Sequence, residues 1–397
     1  MPTHDSHRDT PMARNTPELS TSTRSASVQK TSAQHAKPTR RTHRRLLTPP
    51  LAQKNGIDPI QLVLPHPEEL PKGLAPGGRA PGTIADYLIA RFYSNDPQII
   101  HSRFETGEVR LDDGTVLTTS SPYAPGERIW YFRELADEPE LPSDMPVLYE
   151  DEHVLAIDKP HFLPTTPRGS YIAQTALTKL RVREGNPLLI PIHRLDRPTA
   201  GVLLFAKTVQ ARRPFQMMFQ HRLVSKTYRA VAPVPADPTA AEQALSAEGL
   251  RVRSHIQKVR DVLQVRQLSE TECVARGVEP NTLTTARILE TFTPDPADAE
   301  AWGVEPGRPW GLYDLAPHTG KTHQLRAHLN LLGAPILGDV LYPRVLPDGP
   351  DRSEHPLQLL AYTLSFEHPI TGEPISLRSG RTLSAWESKN SAVWEAS

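Results

Sequence analysis

The sequence contains a single cysteine and no long apolar run. Because Cys273 has no second cysteine to pair with, an internal disulfide and a cluster of thiolate metal ligands are both excluded. No stretch approaches the roughly 20 apolar residues of a membrane-spanning helix, and none has the apolar centre of a secretory signal. From these absences we expect a cytoplasmic protein with no membrane partner.

The sequence also lacks an excess of charge, because 45 Lys and Arg residues balance 45 Asp and Glu residues. The charge is nevertheless uneven, since residues 1–50 hold nine Lys or Arg against three Asp or Glu. This Ser-, Thr- and Pro-rich segment cannot bury enough apolar surface to offset its chain entropy, so we expect residues 1–60 to form a disordered basic tail. A dispensable extension, a phosphate-binding arm and a transit peptide all stay open as interpretations.

The most informative segment, His193 to Gly201, reads His-Arg-Leu-Asp-Arg-Pro-Thr-Ala-Gly and precedes an apolar run at residues 202–206. Such a run is typical of a buried strand, which places the segment in a turn. There Asp196 stands between Arg194 and Arg197, two cations that favour its charged form. Most aspartates between arginines form surface ion pairs, but a fixed carboxylate among cations also suits a nucleophile that faces an anionic substrate.

This segment resembles the signature of the RluA-type pseudouridine synthases, which reads His-Arg-Leu-Asp, two variable residues, then Thr-Ser-Gly. Pro198 and Ala200 depart from the common form, and both departures affect the loop more than the carboxylate. Two further segments match in order and spacing: Lys226-Thr227-Tyr228 matches the Lys-x-Tyr element, and residues 315–329 match the Thr-Gly-Arg-Thr-His-Gln-Ile-Arg-x-His element. Residues 333–342 and 366–369 extend the resemblance, which covers most of residues 145–380.

The resemblance implies an α+β fold with a mixed, mainly antiparallel sheet, and few helices between runs of strands favour the same class. It also implies isomerisation of specific uridines to pseudouridine in structured ribosomal RNA or tRNA, with the target base flipped out. Because isomerisation changes neither composition nor redox state, we expect no cofactor and no metal. We expect RNA as the partner, no DNA, and a monomer. The particular RNA and uridine do not follow from the sequence.

The resemblance also assigns roles to residues. Asp196 would attack C1′ or C6 of the nucleotide or take the 2′ proton, and these alternatives stay open. Tyr228 would lie against the base and assist removal of the C5 proton, while Arg326 would pair with Asp196 and orient it. Substrate contacts are expected from four further residues: Arg194, Arg197, Lys226 and His323.

A helix is predicted from about Thr322 to Leu332, with Gly333 as its C-terminal cap. Its leucines would face the core, whereas His323, Arg326 and Asn330 would share a polar stripe along the cleft. The Gly-Lys-Thr at residues 320–322 is not a phosphate-binding P-loop, because Leu315 stands where that motif needs glycine. His323 and His328 lack the spacing of a helical zinc pair.

The chain is long enough for two or three domains. We expect a small module at residues 61–140 and the catalytic domain at residues 145–390, opening with a hairpin over residues 147–160 and containing an irregular excursion at residues 234–283. The module has a helix capped by Thr83, a hairpin through Asp113-Gly114 and a strand at residues 129–132. It faintly resembles an alpha-L RNA-binding module, but lacks a basic helix face, so RNA binding and a packing role both stay open.

Two other functions compete with the synthase. A nucleoside or glycoside hydrolase could use Asp196 on C1′, but it would ordinarily need a second carboxylate that the motifs do not supply. A non-catalytic RNA-binding protein could retain the fold, but the set of Asp196, Tyr228 and Arg326 argues against decay of the site.

Overall fold

The computed structural model describes residues 49–391 except residues 72, 75–80, 93–95, 134, 136 and 347–354. The expected tail therefore lies outside the described residues as far as residue 48. From Pro49 onward the chain is described, and Leu51 packs in a small cluster with Trp130 and Phe132. None of the helices among the described residues is long and apolar enough to cross a membrane.

The N-terminal part contains a three-stranded antiparallel sheet in the order β1-β3-β2, formed by β1 (Ile60–Val63), β2 (Arg110–Leu111) and β3 (Arg128–Tyr131). Helices α1 (Ile84–Phe92) and α2 (Pro97–Glu105) pack on it. Thr83 caps α1 as expected, because its Oγ1 accepts the Asp86 N–H at 3.0 Å.

Two details of this part differ from the prediction. The spacing of Ile84, Tyr87, Leu88 and Phe92 predicts one buried helix face, but Phe92 is 46% exposed at the end of α1, where its ring meets the Tyr87 ring in a T-shaped arrangement. The turn at Asp113-Gly114 forms, but the segment after it makes a single bridge, Arg110 to Val116. Strand β3 is the main partner of β2 instead.

The rest of the chain is built on an 11-stranded sheet with the path β10-β9-β11-β12-β8-β13-β7-β5-β4, to which β14 and β6 add at β13 and β7. Among the described strand pairs only β13–β7 is parallel. This confirms the α+β class with a mixed, mainly antiparallel sheet. The strands are β4 (Val147–Glu150), β5 (Val154–Lys159), β6 (Ile190–Pro191), β7 (Ala200–Ala206), β8 (Val224–Pro233), β9 (Leu250–Lys258), β10 (Val265–Ser269), β11 (Thr282–Phe292), β12 (Trp310–Pro317), β13 (Leu359–Glu367) and β14 (Pro374–Arg378).

Helices cover both faces of this sheet. The face that carries Leu203 and Phe205 packs against α3 (Ala176–Arg183), and further along it α5 (Pro238–Leu245) and α8 (Gln324–Leu331) cover β8. The opposite face packs against α4 (Val209–Gln220), α7 (Pro296–Ala301) and the start of α9 (Ser384–Ser391). Because β7 is covered on both faces, all seven of its residues are buried, which explains its continuous apolar sequence.

The sequence suggested that residues 234–283 are irregular, but the structure has regular elements there. These residues contain α5, β9, β10 and α6 (Glu270–Arg276), and β9 and β10 form the edge of the large sheet. The alternation along β9 is hard to recognise because one of its inward residues is polar: Ser254 is fully buried and its hydroxyl lies 2.9 Å from His328 Nε2. A polar residue at an inward position hides the period of two that predicts a strand.

Candidate active site around Asp196

Asp196 lies in the loop between β6 and β7, at the end of the sheet face covered by α3 and α8. Its backbone carbonyl accepts the Thr199 N–H at 3.0 Å, which closes a tight turn. Gly201 ends the turn with φ +111°, and a Cβ there would lie 2.2 Å from the Ala361 carbonyl oxygen on β13. The glycine of the motif is therefore required by the close approach of two strands. The Asp196 side chain remains 38% exposed, so a substrate can reach it.

Two side chains from the start of α8 face the Asp196 carboxylate. Arg326 Nη1 lies 3.6 Å and His323 Nε2 lies 3.7 Å from Asp196 Oδ2. Arg326 is almost fully buried, and the pKa of His323 is lowered, mainly by burial and against the opposing effect of Asp196. A histidine with a lowered pKa is neutral at pH 7, so Arg326 is the charged partner of the two at neutral pH.

The structure corrects the predicted surroundings of Asp196. Among the described residues, neither flanking arginine forms an ion pair with it. Arg194 is exposed. Arg197 turns toward another loop, donates from Nε to the Phe162 carbonyl at 3.0 Å, and lies with its guanidinium 4.7 Å from the centre of the Tyr171 ring. Neighbours in a tight turn point in different directions, so adjacency along the chain does not bring the charges together.

Arg326 is held by a residue to which the sequence assigned no role. Asp339 receives two hydrogen bonds from it, Nε to Oδ2 at 2.7 Å and Nη2 to Oδ1 at 2.6 Å, and the Asp339 side chain is fully buried. Burial opposes the charge of Arg326, but Asp339 and Asp196 outweigh it, so that its pKa is raised. The signal was present in the sequence, because Asp339 is an isolated acid in the apolar run that continues the family match.

The predicted helix over residues 322–332 is shorter at both ends. It begins at Gln324 because His323 adopts a left-handed backbone conformation, φ 53°, as the N-terminal cap. Gly333, with φ +63°, follows the C-cap Leu332 as predicted. Arg326, predicted on a polar stripe along the cleft, is buried, and its guanidinium reaches Asp196 from inside the protein.

Tyr228 lies on β8 and packs between the two cores on the α3 and α8 face. It packs against the cluster that contains Leu195, the residue before Asp196. Burial raises the pKa of Tyr228 to about 12, and the charge of Asp196 adds to the effect, so the phenol is protonated at neutral pH. Lys226 shares this face two residues earlier, and burial lowers its pKa. The structure thus brings Asp196, Tyr228, Arg326 and His323 to one place.

A second residue without a predicted role, Lys159, donates a hydrogen bond to the backbone of the loop that carries Asp196. Its side chain is fully buried at the end of β5, and Nζ donates to the carbonyls of Pro160 at 2.9 Å, Leu163 at 2.8 Å and Arg197 at 3.3 Å. Burial lowers its pKa to about 7, while the Asp196 carboxylate acts in the opposite direction. The hydrogen bond to the Arg197 carbonyl places this lysine beside the loop that carries Asp196.

Two side chains that follow Lys159 also form hydrogen bonds with the backbone of the loop that carries Asp196. His161 Nδ1 lies 2.6 Å from the Pro198 carbonyl oxygen, and the Thr165 hydroxyl donates to the Leu195 carbonyl at 2.9 Å. The Leu195 N–H in turn donates to the same hydroxyl at 3.2 Å. Because these bonds reach the residues on both sides of Asp196, the loop is fixed independently of any side chain on its surface.

No group of three His, Cys, Asp or Glu side chains within the described part of the chain is arranged to hold a metal ion. His328 turns away from His323 into the core, where its two ring nitrogens lie 2.9 Å from the Ser254 hydroxyl and 2.8 Å from the Thr284 hydroxyl. Both nitrogens are thus engaged in hydrogen bonds that hold β9 and β11 to α8.

These features agree with comparisons to known proteins. Residues 153–331 match the family model described as RNA pseudouridylate synthase. An uncharacterized RNA pseudouridine synthase of Synechocystis sp. is 30% identical over 299 residues, which cover 74% of this chain and 92% of that protein. The chain is therefore a pseudouridine synthase by family, and isomerisation of uridine in RNA is the reaction of that family.

The relatives also define the branch of the family. The dual-specificity RNA pseudouridine synthase RluA of Salmonella typhi is 30% identical over 234 residues, covering 58% of this chain and 91% of that protein. The ribosomal large subunit pseudouridine synthase D of Xanthomonas campestris is 32% identical over 249 residues, covering 59% of this chain and 66% of that protein. The chain belongs to the RluA-type RNA pseudouridine synthases.

Proposed function

We propose that this protein isomerises specific uridines in structured ribosomal RNA or tRNA, using Asp196 on a nucleotide flipped out of the RNA and no cofactor. One observation carries the proposal: a carboxylate that is 38% exposed has a guanidinium behind it that is only 3% exposed. The charge of Arg326 is thus shielded from solvent and directed at the carboxylate, while the open side of Asp196 is left for the nucleotide.

The chemistry needs a carboxylate beside the sugar and base. The N1–C1′ bond breaks, the base turns over, C5 bonds to C1′, and the proton on C5 leaves while N1 gains one. Electrons and composition balance without a redox partner. Attack of Asp196 on C1′ or C6, or removal of the 2′ proton, would all place the same oxygen against the same nucleotide.

Tyr228 serves the proton step in this proposal. Since its phenol is protonated at neutral pH, the hydroxyl oxygen can accept the C5 proton only while it passes its own proton on. In this proposal the Asp196 carboxylate, once released from the nucleotide, accepts that proton, since its charge acts on the Tyr228 phenol. Tyr228 is then unchanged at the end of the step, and the proton leaves Asp196 to solvent.

The remaining predicted residues receive distinct roles. Arg194, exposed next to Asp196 in the chain, is assigned to the RNA near the flipped base. Lys226 and His323 contact the bound nucleotide from the cleft. Arg197 positions Tyr171 through the hydrogen bond from Nη2 to the phenol oxygen, 3.2 Å. A hydrolase is less well supported, because Asp339 is fully buried and bound twice by Arg326, and so it is not placed to act as a second acid.

Asp196→Asn tests the proposal directly. The variant should fold and bind RNA but lose isomerisation by more than about 1000-fold, since a lost nucleophile costs several kcal/mol of barrier. Tritium release from C5-labelled uridine in ribosomal RNA and tRNA transcripts measures the reaction. Asp314→Asn, the same change on the opposite sheet face where Asp314 pairs with Arg287 at 3.5 Å, is the control. Activity of Asp196→Asn within about tenfold of wild type contradicts the assignment.

A further inference from the structure

A cleft of about 360 Å³ lies beside the candidate active site, between the end of β9 and the residues that precede α8. None of the residues that line it has a role in the proposed reaction. They are His255, Ile256, Gln257, Lys258, Asn281, Lys321 and Thr322.

The cleft is cationic. Its lining contains two lysines and no carboxylate, in a chain whose charges balance overall. Gln257 and Thr322 add neutral groups that can donate hydrogen bonds. A surface that offers ammonium, amide and hydroxyl donors without a negative charge is suited to phosphate oxygens, which only accept.

The cleft is next to the candidate active site, because Thr322 in its lining directly precedes His323. Lys258 follows the inward residues Ser254 and Ile256 on β9, and its charge lowers the pKa of His323, though less than burial does. On the other wall, Thr322 is the residue before His323, whose Nε2 lies 3.7 Å from Asp196. A chain that places one nucleotide at Asp196 would therefore pass this cleft with its neighbours.

The walls are preformed. Asn281 holds Ile256 of β9 from both sides, accepting its N–H at 2.9 Å and donating to its carbonyl at 3.1 Å. The Val265 N–H at the start of β10 donates to the Tyr342 hydroxyl at 3.0 Å, which ties the β9–β10 hairpin to the segment that follows Asp339. A rigid cleft binds without first losing conformational freedom.

We propose that this cleft binds backbone phosphates of the RNA next to the target uridine, through Lys258 and Lys321. The proposal rests on the proposed function, because it takes RNA as the substrate. Phosphate contacts carry no sequence information. The cleft therefore contributes affinity and orientation of the RNA strand, and the choice of uridine is made elsewhere.

The test removes both charges with Lys258→Gln/Lys321→Gln. The probe is a fluorescent RNA stem-loop of about 20 nucleotides with uridines in its loop, and its Kd is measured from about 50 to about 400 mM potassium chloride. Each lost phosphate contact should lower the slope of log K against log salt by about 0.7 for a single strand. We expect a decrease of about 0.7 to 1.4 and binding about tenfold weaker at low salt, with a single-turnover rate at saturating enzyme within about twofold of wild type.

Two controls isolate the cleft. Arg251→Gln/Arg253→Gln removes two charges from the outward face of the same strand, where both residues are exposed, and should leave the slope unchanged. Lys258→Arg/Lys321→Arg should restore the wild-type slope. Because the Lys258 ammonium also donates to the Val262 and Leu263 carbonyls in the hairpin turn, Lys321→Gln alone is the variant that leaves the hairpin bonds intact. It should show about half of the effect.

The proposal is wrong if Lys321→Gln and the lysine double variant both keep the wild-type slope. It is also wrong if the slope of the arginine control falls as much as that of the lysine double variant. Pseudouridine formation by the wild-type enzyme is measured in parallel and reports on the proposed function. If the wild type modifies uridine and the slopes do not change, only the phosphate cleft is wrong. If the slopes fall but no transcript is modified by the wild type, the cleft binds RNA and the proposed function is wrong.

Discussion

Arg326 and Asp339 form a buried, two-hydrogen-bond ion pair that fixes the guanidinium with its third nitrogen 3.6 Å from Asp196. Asp339 is therefore a residue of the site to which the sequence motifs assigned no role. A planar guanidinium held at two nitrogens has little freedom at the third, so Asp339 determines where the positive charge behind Asp196 lies.

Asp339→Asn tests this positioning role. The amide accepts at only one oxygen, so Arg326 should turn away from Asp196, and the single-turnover rate should fall about 10- to 100-fold with RNA affinity unchanged. Breaking a buried pair should also cost about 3 kcal/mol of unfolding free energy, measured by denaturation. A variant that loses stability but keeps its saturating rate at a temperature where it is folded would make Asp339 purely structural.

Tyr228→Phe should retain packing on β8 and lose the proton step. We expect the variant to stall after cleavage or rebonding of the base, with C5 tritium retained in the RNA. Because the pKa of Tyr228 is about 12, its ionisation should cause no change in the wild-type rate between about pH 7 and about pH 10. Full turnover by the phenylalanine variant would reduce Tyr228 to a packing residue.

Lys159 should make stability depend on pH. Its pKa falls from 10.5 in the unfolded chain to about 7 in the folded protein, so between these values the unfolded chain binds more protons. The free energy of unfolding should therefore rise with pH across this window, by up to about 1.4 kcal/mol per pH unit. Below about pH 7 the lysine is charged in both states, and the full cost of burying its charge lowers the stability of the folded protein. In Lys159→Met this dependence should be absent.

The comparison of wild type and Lys159→Met by urea denaturation at a series of pH values isolates this contribution, since all other groups titrate in both proteins. The unfolding free energy of the wild type should increase with pH relative to that of Lys159→Met. A difference that is constant from about pH 7 to about pH 10 would show that Lys159 stays charged, held by its three carbonyl acceptors.

Deleting residues 1–50 should weaken binding to all RNAs alike and reduce its salt dependence, because we expect the basic surplus of these residues to supply phosphate contacts without sequence information. The modified uridine and the saturating single-turnover rate should not change. Mapping of pseudouridine in transcripts treated with the full-length and shortened enzymes checks both. Modification of a different uridine would show that the tail selects the substrate.

The sequence by itself determined the family, the fold class and three of the side chains near Asp196, namely Tyr228, His323 and Arg326. Local patterns carry this information: the turn before an apolar run at residues 202–206, the hairpin of β4 and β5, and the motifs that contain Tyr228 and Arg326. The turn and the hairpin are encoded within about ten neighbouring residues, where propensity and periodicity act directly. The motifs were identified by their resemblance to the family.

Only the tertiary structure decided which charges meet. Arg194 and Arg197 adjoin Asp196 in the chain but form no ion pair with it among the described residues, whereas Arg326 reaches it from a helix far along the sequence and is itself held by Asp339. The burial of Lys159 and the place of β9 and β10 at the sheet edge were likewise absent from local patterns. Such contacts depend on how distant segments pack, because burial and charge partners are properties of the folded surface and not of neighbouring residues.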